Sequence, residues 1–312
     1  MKHQKIILPG GAGLVGQNLV AHLKRSGYHH LVVLDKHRAN LEVLKRFHPD
    51  IVIEYADLAD PGDWERHFEG AGSVVMLQAQ IGGPQEEPFI RNNIDSTARI
   101  LELIRRHAIP YTVHISSSVV ASVADDYYTR TKKQQETMVL ESGIPCVVLR
   151  PTLMFGWFDR KHLGWLSRFM QKVPLFPIPG DGRFMRQPLY VGDFCSIIMS
   201  CLESRRCGEV FNITGLEKID YIDIIRAIKK ATGAHTLLMN IPYRLFHLLL
   251  AVWGRFDHDP PFTVSQLEAL VADDVFEVID WPEIFAVEAT PLPQAMEETF
   301  NDPLYGKVVL EF

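Results

Sequence analysis

A tyrosine and a lysine four residues apart, Tyr128 and Lys132, are the side chains in this sequence best suited to proton transfer. The surrounding pattern predicts a helix over residues 127–142, and positions four apart share one face of a helix. A lysine ammonium near a phenol stabilises the phenolate, so the tyrosine exchanges protons near neutral pH. Ser117 and Ser118 end the preceding predicted strand, within reach of a substrate oxygen. We predict a catalytic site of Ser118, Tyr128 and Lys132. The alternative is a surface pair, because this spacing is common by chance.

A glycine-rich turn near the start of the sequence predicts a second site. An apolar run over residues 5–8 leads into the turn, a helical pattern follows it, and another apolar run ends at Asp35, 19 residues after Gly16. Glycines allow a tight turn and a close approach to a pyrophosphate, and a helix N-terminus offers it free N–H groups. A carboxylate at this distance accepts hydrogen bonds from a ribose. The pattern predicts a dinucleotide site with contacts from Gly10, Gly13, Leu14, Val15, Gly16 and Asp35.

The residues around the second strand end bear on which dinucleotide binds. Asp35 repels a 2′-phosphate and therefore favours NAD. Lys36 and Arg38 follow directly and could neutralise such a phosphate, which leaves NADP as the alternative. We predict NAD, because the acid stands at the strand end itself, and we include Lys36 among the cofactor contacts.

Apolar runs alternate with helical patterns through the first half of the chain, which is typical of a parallel sheet covered by helices on both faces. Ligands in such sheets lie beyond the carboxyl ends of the strands, so residues directly after each run are candidate contacts. Asp57 is one of them, although it could equally cap the next helix. The predicted strands cover residues 5–8, 31–34, 51–55, 74–77, 111–115, 145–149 and, rejoining the sheet, 210–213.

Prolines and aromatic residues become frequent after Pro151, which predicts a change of domain. We predict an α/β protein with a Rossmann-type doubly wound parallel sheet from residues 1–152 plus 190–213. A smaller, mostly helical domain from residues 153–189 plus 214–312 would bind substrate as a lid. From Leu237 onward the pattern predicts helical or irregular structure.

Composition excludes several classes of function. The formal net charge of −6 argues against general nucleic-acid binding, which needs a basic surface. The four cysteines include no Cys-x-x-Cys pair and the histidines show no ligand spacing, so we predict no metal. Apolar runs fall short of the ~18 residues of a membrane span, and we expect a cytoplasmic protein. A homodimer is compatible with this interpretation.

The motifs together resemble those of the extended short-chain dehydrogenase/reductases, the NAD-dependent epimerase/dehydratase family. The spacing Gly-x-x-Gly-x-x-Gly from Gly10, the Tyr-x-x-x-Lys from Tyr128, the Leu-Arg-Pro from Leu149 and the segment from Arg186 to Asp193 carry the resemblance over most of the chain. It implies cofactor contacts from Asp57, Leu58, Gln78, Ala79, Asn93, Tyr128, Lys132 and Pro151, and substrate contacts from Ser117, Ser118, Arg183 and Arg186.

Some segments depart from the family pattern. Only ten residues separate Ser118 from Tyr128, where sugar-nucleotide epimerases carry a longer loop, and Gln78 replaces a small residue. The runs 187–191 and 273–292 are closer to an atypical branch that includes the complex I accessory subunit that binds NADPH.

Three functions fit these observations. The first is an NAD-dependent epimerase, dehydratase or reductase acting on a nucleotide-linked sugar, with Arg183 or Arg186 holding the diphosphate. The second is a reductase of a small carbonyl compound, which needs no diphosphate clamp. The third is a non-catalytic dinucleotide-binding module that serves an assembly.

Overall fold

The computed structural model describes residues 2–256, 263–271 and 276–311, and its centre is a seven-stranded parallel sheet. The strands are β1 (Lys5–Pro9), β2 (Leu31–Asp35), β3 (Val52–Tyr55), β4 (Ala71–Met76), β5 (Thr112–Ile115), β6 (Cys146–Pro151), β7 (Met154–Phe155), β8 (Leu175–Pro179), β9 (Met185–Arg186), β10 (Leu189–Tyr190), β11 (Val210–Ile213), β12 (Ile219–Asp220) and β13 (Leu237–Ile241). The large sheet has the order β11-β6-β5-β4-β1-β2-β3, with every pair parallel. This confirms the predicted Rossmann-type fold.

The described part of the chain also forms twelve α-helices, and several of them cover the two faces of the sheet. They are α1 (Leu14–Arg25), α2 (Arg38–Phe47), α3 (Glu87–Phe89), α4 (Ser96–Arg106), α5 (Tyr127–Leu140), α6 (Leu163–Met170), α7 (Val191–Ser204), α8 (Tyr221–Thr232), α9 (Tyr243–Phe256), α10 (Val264–Val271), α11 (Trp281–Phe285) and α12 (Leu292–Asn301).

The central strands are buried on both faces, and this explains their continuous apolar sequence. Leu8 and Val33 point to the face covered by α1 and α7, where Phe194 and Trp281 complete the core. Ile7 points to the opposite face, which α4 and α5 cover. Because side chains alternate along a strand, one run such as β1 supplies both cores.

Several elements differ from the sequence prediction in their bounds or in their helix type. β4 begins at Ala71 rather than residue 74. The predicted helix at residues 64–68 is a 3₁₀ helix, Asp63–Phe68. The helix expected to begin at Asn93 begins at Glu87, and its second segment, Ile90–Asp95, is a π-helix. A π-helical turn inserts an extra residue, and hydrophobic periodicity does not predict it.

The prediction for the segment from Leu237 onward is wrong at its start. Leu237–Ile241 forms β13, which pairs in parallel with β8, Leu175–Pro179. The partner lies about sixty residues earlier in the chain, so no local pattern reveals the pairing. Residues 257–262 and 272–275, which include Asp273 and Asp274 of the run compared above, lie outside the described residues. The division into two domains stays a prediction.

Backbone packing explains two of the three glycines in the N-terminal turn. Gly10 has φ +76°, and a Cβ there would lie 2.4 Å from the Cα of Gln78. A Cβ on Gly16 would lie 2.3 Å from the carbonyl oxygen of Gly11. At Gly13, by contrast, the nearest atom to such a Cβ is the Gly10 carbonyl oxygen at 3.7 Å. The fold itself requires glycine at residues 10 and 16, whereas it leaves room for a methyl group at residue 13.

We expect Gly16→Ala to lower the free energy of unfolding by about 1–3 kcal/mol, because its methyl group collides with backbone that cannot rotate away. Gly13→Ala is the matched control and should unfold at nearly the same denaturant concentration as the native protein. Urea denaturation followed by circular dichroism measures both. Equal midpoints for the two variants would contradict this account of the turn.

Candidate active site

Tyr128 lies in the first turn of α5, which Asp126 positions. The Asp126 carboxylate accepts hydrogen bonds from the Thr129 backbone N–H and the Thr129 hydroxyl, both at 2.9 Å. An acid at this position caps the helix and satisfies an otherwise free donor. The cap therefore fixes the start of α5, and with it the place of Tyr128, beside the end of β5.

The structure pairs the Tyr128 phenol with Ser117. Burial raises the pKa of the Tyr128 phenol, and the nearby Ser117 hydroxyl acts in the opposite direction. Ser118, which we predicted as the catalytic serine, is the first residue of the 3₁₀ helix Ser118–Ala121, and the Ser117 hydroxyl caps that helix at the Val119 N–H, 3.4 Å away. The chain leaves β5 after Ile115 and enters the 3₁₀ helix at Ser118, so a strand pattern in the sequence does not show which serine faces the tyrosine.

Lys132 is almost fully buried beneath this pair. Its ammonium donates to the Ile115 carbonyl at 3.1 Å and to the Gln135 side-chain oxygen at 2.5 Å. Burial lowers the pKa of Lys132 to about 7, and the nearby Glu136 carboxylate opposes this only in part. The tertiary structure thus places the lysine at the carboxyl end of β5.

We expected Lys132 to lower the pKa of Tyr128, but the pKa of this phenol is raised. The largest influence on the phenol is burial, which raises its pKa, and Asp126 raises it further. The Lys132 ammonium is instead directed at Ile115 and Gln135. Tyr128 and Lys132 lie one turn apart on α5, but burial of the phenol outweighs any effect of the lysine on its pKa.

A buried polar network surrounds Lys132. Gln135 donates to the Thr97 hydroxyl at 2.9 Å, and Gln78 donates to the same oxygen at 3.2 Å. Gln78 therefore belongs to this network through its side chain. Residue 78 is also where the backbone touches Gly10, so the network links Lys132 to the glycine turn.

Asn93 connects the loop after β4 to α5. It is fully buried, its side-chain oxygen accepts from the Gln80 N–H at 2.6 Å, and its amide nitrogen donates to the Thr131 hydroxyl at 2.9 Å. This geometry holds the loop after β4 against α5. A cofactor contact of Asn93 stays a prediction.

His114 is a residue of the site that the sequence reasoning missed. It lies in β5 with no exposed surface, and neither ring nitrogen has a hydrogen-bond partner within the described part of the chain. Burial, with Lys132 nearby, lowers its pKa well below the usual value, so the ring is neutral. Its position within the apolar run of residues 111–115 is the feature by which the sequence could have identified it.

Asp35 and the glycine turn form the other half of the site. The Asp35 carboxylate accepts from the Ala12 N–H at 3.0 Å and the His37 N–H at 2.9 Å. Burial raises its pKa, and these two hydrogen bonds act in the opposite direction. Gly13 caps α1 without a side chain, so the first turn at Leu14 and Val15 presents free N–H groups to the space in front of it.

A cluster of charged side chains lies just beyond the ends of β2 and β3. Asp57 accepts from Arg91 at 3.2 Å, lies 3.7 Å from the Lys36 ammonium, and accepts from the Ala59 N–H at 3.2 Å. Burial raises the Asp57 pKa, but the hydrogen bonds and the two cations together hold it below its usual value. Arg91 was not predicted, since it comes from the distant segment before α4.

The remaining predicted contacts lie in varied surroundings. The Leu58 side chain is in the core next to Trp64, whereas Ala79 is exposed directly after β4. Pro151 ends β6 opposite Ile213. Arg183 is exposed at the turn after β8.

Arg186 extends towards the C-terminal segment. Its guanidinium donates to the Met185 carbonyl at 2.7 Å and to the carbonyl of Leu270 in α10. Arg186, which we predicted to bind a substrate diphosphate, therefore joins β9 to α10, two elements far apart in sequence.

Comparison with known proteins assigns the family. The model of the NAD-dependent epimerase/dehydratase family matches residues 6–214, about two thirds of the chain, and the chain belongs to this family. This confirms the resemblance inferred from the motifs. The match includes all seven strands of the large sheet apart from Lys5, the first residue of β1.

Individual relatives span different activities. A dTDP-glucose 4,6-dehydratase of Streptomyces niveus is 25% identical over 89% of this chain and 92% of its own. The mitochondrial NADH dehydrogenase [ubiquinone] 1 alpha subcomplex subunit 9 of Dictyostelium discoideum is 26% identical over 83% of this chain and 73% of its own. The structure of UDP-glucuronic acid 4-epimerase from Bacillus cereus with NAD has a TM-score of 0.69 at 22% identity, covering 94% and 96% of the two chains.

Among the described residues, the structure has no group of three or more histidine, cysteine or acidic side chains placed to hold a metal ion. None of the helices in that same part of the chain is both long and apolar enough to cross a membrane.

The low pKa of Lys132 predicts how stability varies with pH. Between about pH 7 and pH 10 an unfolded lysine keeps its proton while the buried one loses it, so the unfolded state binds more protons and stability rises with pH. The rise approaches about 1.4 kcal/mol per pH unit for one group. Lys132→Met should remove it. Urea unfolding at several pH values, native against variant, gives the difference. Parallel stability curves would show that Lys132 titrates like a solvated lysine.

Proposed function

We propose that this protein is an NAD-dependent enzyme that oxidises a carbinol of a nucleotide-linked sugar, as the first step of an epimerisation, dehydration or net oxidation. The observation that carries the proposal is the placement of Tyr128, Ser117 and Lys132 at the carboxyl end of β5 in a chain of the epimerase/dehydratase family. The same sheet edge carries the glycine turn, so a cofactor and a substrate would meet there.

The residues present fit NAD. The absence of a side chain at Gly13 has no explanation within the fold, since a Cβ would meet only ordinary contacts, and it leaves the backbone open to a pyrophosphate. The N-terminus of α1 would hold the phosphates, and Asp35 would accept hydrogen bonds from the adenosine ribose. When bound, NAD supplies the hydride acceptor.

Tyr128 would carry the proton. Because burial raises its pKa, the phenol is protonated at neutral pH and is ready to donate to a carbonyl oxygen. To accept the proton of a sugar hydroxyl, it needs positive charge close by, and Lys132, one helical turn away, is the residue that can provide it. The Ser117 hydroxyl would hydrogen-bond the same substrate oxygen and the phenol together, with Ser118 as the alternative serine.

Substrate recognition is argued from the arginines and the relatives. The dehydratase of Streptomyces niveus and the epimerase of Bacillus cereus act on sugars linked to dTDP and UDP, as their names state. Arg186, with Arg183 beside it in sequence, would bind the corresponding diphosphate through charge-assisted hydrogen bonds. Arg186 would then exchange its Leu270 contact for the ligand.

A second candidate is a dinucleotide-binding subunit without turnover. Two observations favour it: the Lys132 ammonium is directed at Ile115 and Gln135, and a complex I subunit is among the relatives. In that role the bound dinucleotide would stabilise the fold for a partner. The two candidates differ in whether Tyr128 takes part in a reaction.

Tyr128→Phe tests which candidate holds. The ring still packs, so NAD binding should change little, while single-turnover reduction of bound NAD by a nucleotide sugar should slow by about 10²-fold or more. Val123→Ala, in the exposed loop before α5, is the control and should keep the native rate. Equal rates for native and Tyr128→Phe proteins would remove the tyrosine from the mechanism. Tight NAD binding without turnover across a panel of UDP- and dTDP-sugars would support the second candidate.

Cofactor choice is tested at Asp35. We expect NAD to bind more tightly than NADP, because the carboxylate repels a 2′-phosphate. Asp35→Asn is nearly isosteric and keeps one oxygen for the Ala12 N–H, while the His37 N–H loses its acceptor. The variant should reduce the ratio of NADP to NAD dissociation constants. Calorimetric titration with both dinucleotides measures this. Tighter NADP binding by the native protein would instead make Lys36 and Arg38 phosphate ligands.

A further inference from the structure

A buried carboxylate joins three elements at the carboxyl end of β5. Glu136 on α5 is only 5% exposed, and both of its oxygens accept hydrogen bonds from the Arg150 guanidinium near the end of β6, the Nε–Oε2 bond measuring 3.0 Å. The same Oε2 accepts from the hydroxyl of Ser116, the residue that follows β5. A carboxylate is costly to bury unless an opposite charge and hydrogen bonds satisfy it, and Glu136 has both. It therefore brings a fixed negative charge to this end of the sheet.

The Lys132 ammonium lies at the same end of β5. Lys132 comes one helical turn before Glu136 on α5, so the two side chains share a face of the helix. They also bind successive residues of the chain, because the ammonium donates to the Ile115 carbonyl at 3.1 Å while Glu136 accepts from Ser116. Lys132 is 1% exposed. Since little water separates two such buried groups, their attraction is screened only weakly.

The other polar groups around Lys132 do not supply negative charge. The two oxygens that accept hydrogen bonds from its ammonium are uncharged, and the His114 ring in β5 is neutral. Tyr128, one turn earlier on α5, is protonated because burial raises its pKa, and Arg150 from β6 is directed at Glu136. Burial is the largest influence on the Lys132 pKa and lowers it. Among the described residues, Glu136 is the charged group that raises it.

We propose that Glu136 is a positioning residue of the active site, whose clamped carboxylate keeps the Lys132 ammonium charged beside Tyr128. This role rests on the proposed function, in which the phenol accepts a substrate proton only with positive charge close by. Glu136 acts through the lysine and needs no contact with substrate or cofactor. Ser116 and Arg150 hold the carboxylate in place. The alternative is a purely structural clamp that fastens α5 to the ends of β5 and β6.

A titration of the lysine side chains by nuclear magnetic resonance tests the proposal without substrate. In protein labelled with ¹³C at lysine Cε, Lys132→Met identifies the Lys132 resonance by its loss. Glu136→Gln removes the charge but retains an oxygen for Ser116 and Arg150, so the Lys132 midpoint should fall by about one pH unit or more. A purely structural clamp predicts the opposite, because a loosened site admits water and moves the midpoint towards the ~10 of a solvated lysine. An unchanged or raised midpoint would overturn the proposal.

Two further variants separate charge from shape. Glu136→Asp retains the charge on a shorter side chain and should keep the Lys132 midpoint close to that of the native protein. Glu141→Gln is the matched control, because it removes the same charge from an exposed residue at the C-terminal end of α5 and should leave the midpoint unchanged. If Glu141→Gln lowered the midpoint as much as Glu136→Gln, the effect would come from net charge and not from the buried carboxylate.

The pH dependence of turnover provides the second readout. In single-turnover reduction of bound NAD by a nucleotide sugar, the rate should fall as rising pH removes the lysine proton, and in Glu136→Gln this fall should occur about one pH unit lower. Turnover with the same pH profile in both proteins would overturn the role of Glu136 while retaining the enzyme. Absence of turnover in the native protein would reject the proposed function, and the lysine titration would still decide whether Glu136 maintains the charge of Lys132.

Discussion

Contact between backbones in the N-terminal turn is the constraint on which the rest of the site depends. Gly10 allows β1 to approach the chain at Gln78 after β4, and Gly16 allows α1 to lie against Gly11. These two contacts set the distance between adjacent strand ends and aim the N-terminus of α1 at the space beyond them. The Asp35 carboxylate, bonded to the Ala12 N–H, ties β2 to the same turn. The mouth of the dinucleotide site is therefore defined by backbone geometry.

The side of the site that holds Tyr128 and Lys132 depends on burial. Lys132 is enclosed at the end of β5, where a carbonyl and an amide oxygen replace water around its ammonium. Burial moves the pKa of Lys132 down and that of Tyr128 up, so both groups tend towards their neutral forms. Opposite shifts of two neighbouring groups are typical of sites that pass protons. Neutral His114, also without exposed surface, belongs to the same dry region.

The C-terminal segment connects Arg186 to the outer surface of the protein. Arg186 contacts α10 through Leu270, and α10 supports α9 through Leu267. Two small sheets connect this segment to the part of the chain between β6 and β11: β13 pairs with β8, and β12 pairs with β9. A helix held mainly by one satellite cluster, with its other face apolar and exposed, is stabilised less by the protein core than the helices of the sheet.

The sequence by itself determined the parallel sheet, the glycine turn and the Tyr128 and Lys132 pair, because periodicity and spacing are local properties of a chain. Only the tertiary structure decided the surroundings of the two serines, since Ser118 begins a 3₁₀ helix whereas Ser117 lies near the Tyr128 phenol. It also decided the pKa directions, which follow from enclosure by distant residues. Arg91 beside Asp57 and the pairing of β13 with β8 join segments remote in sequence, and no local pattern encodes such contacts.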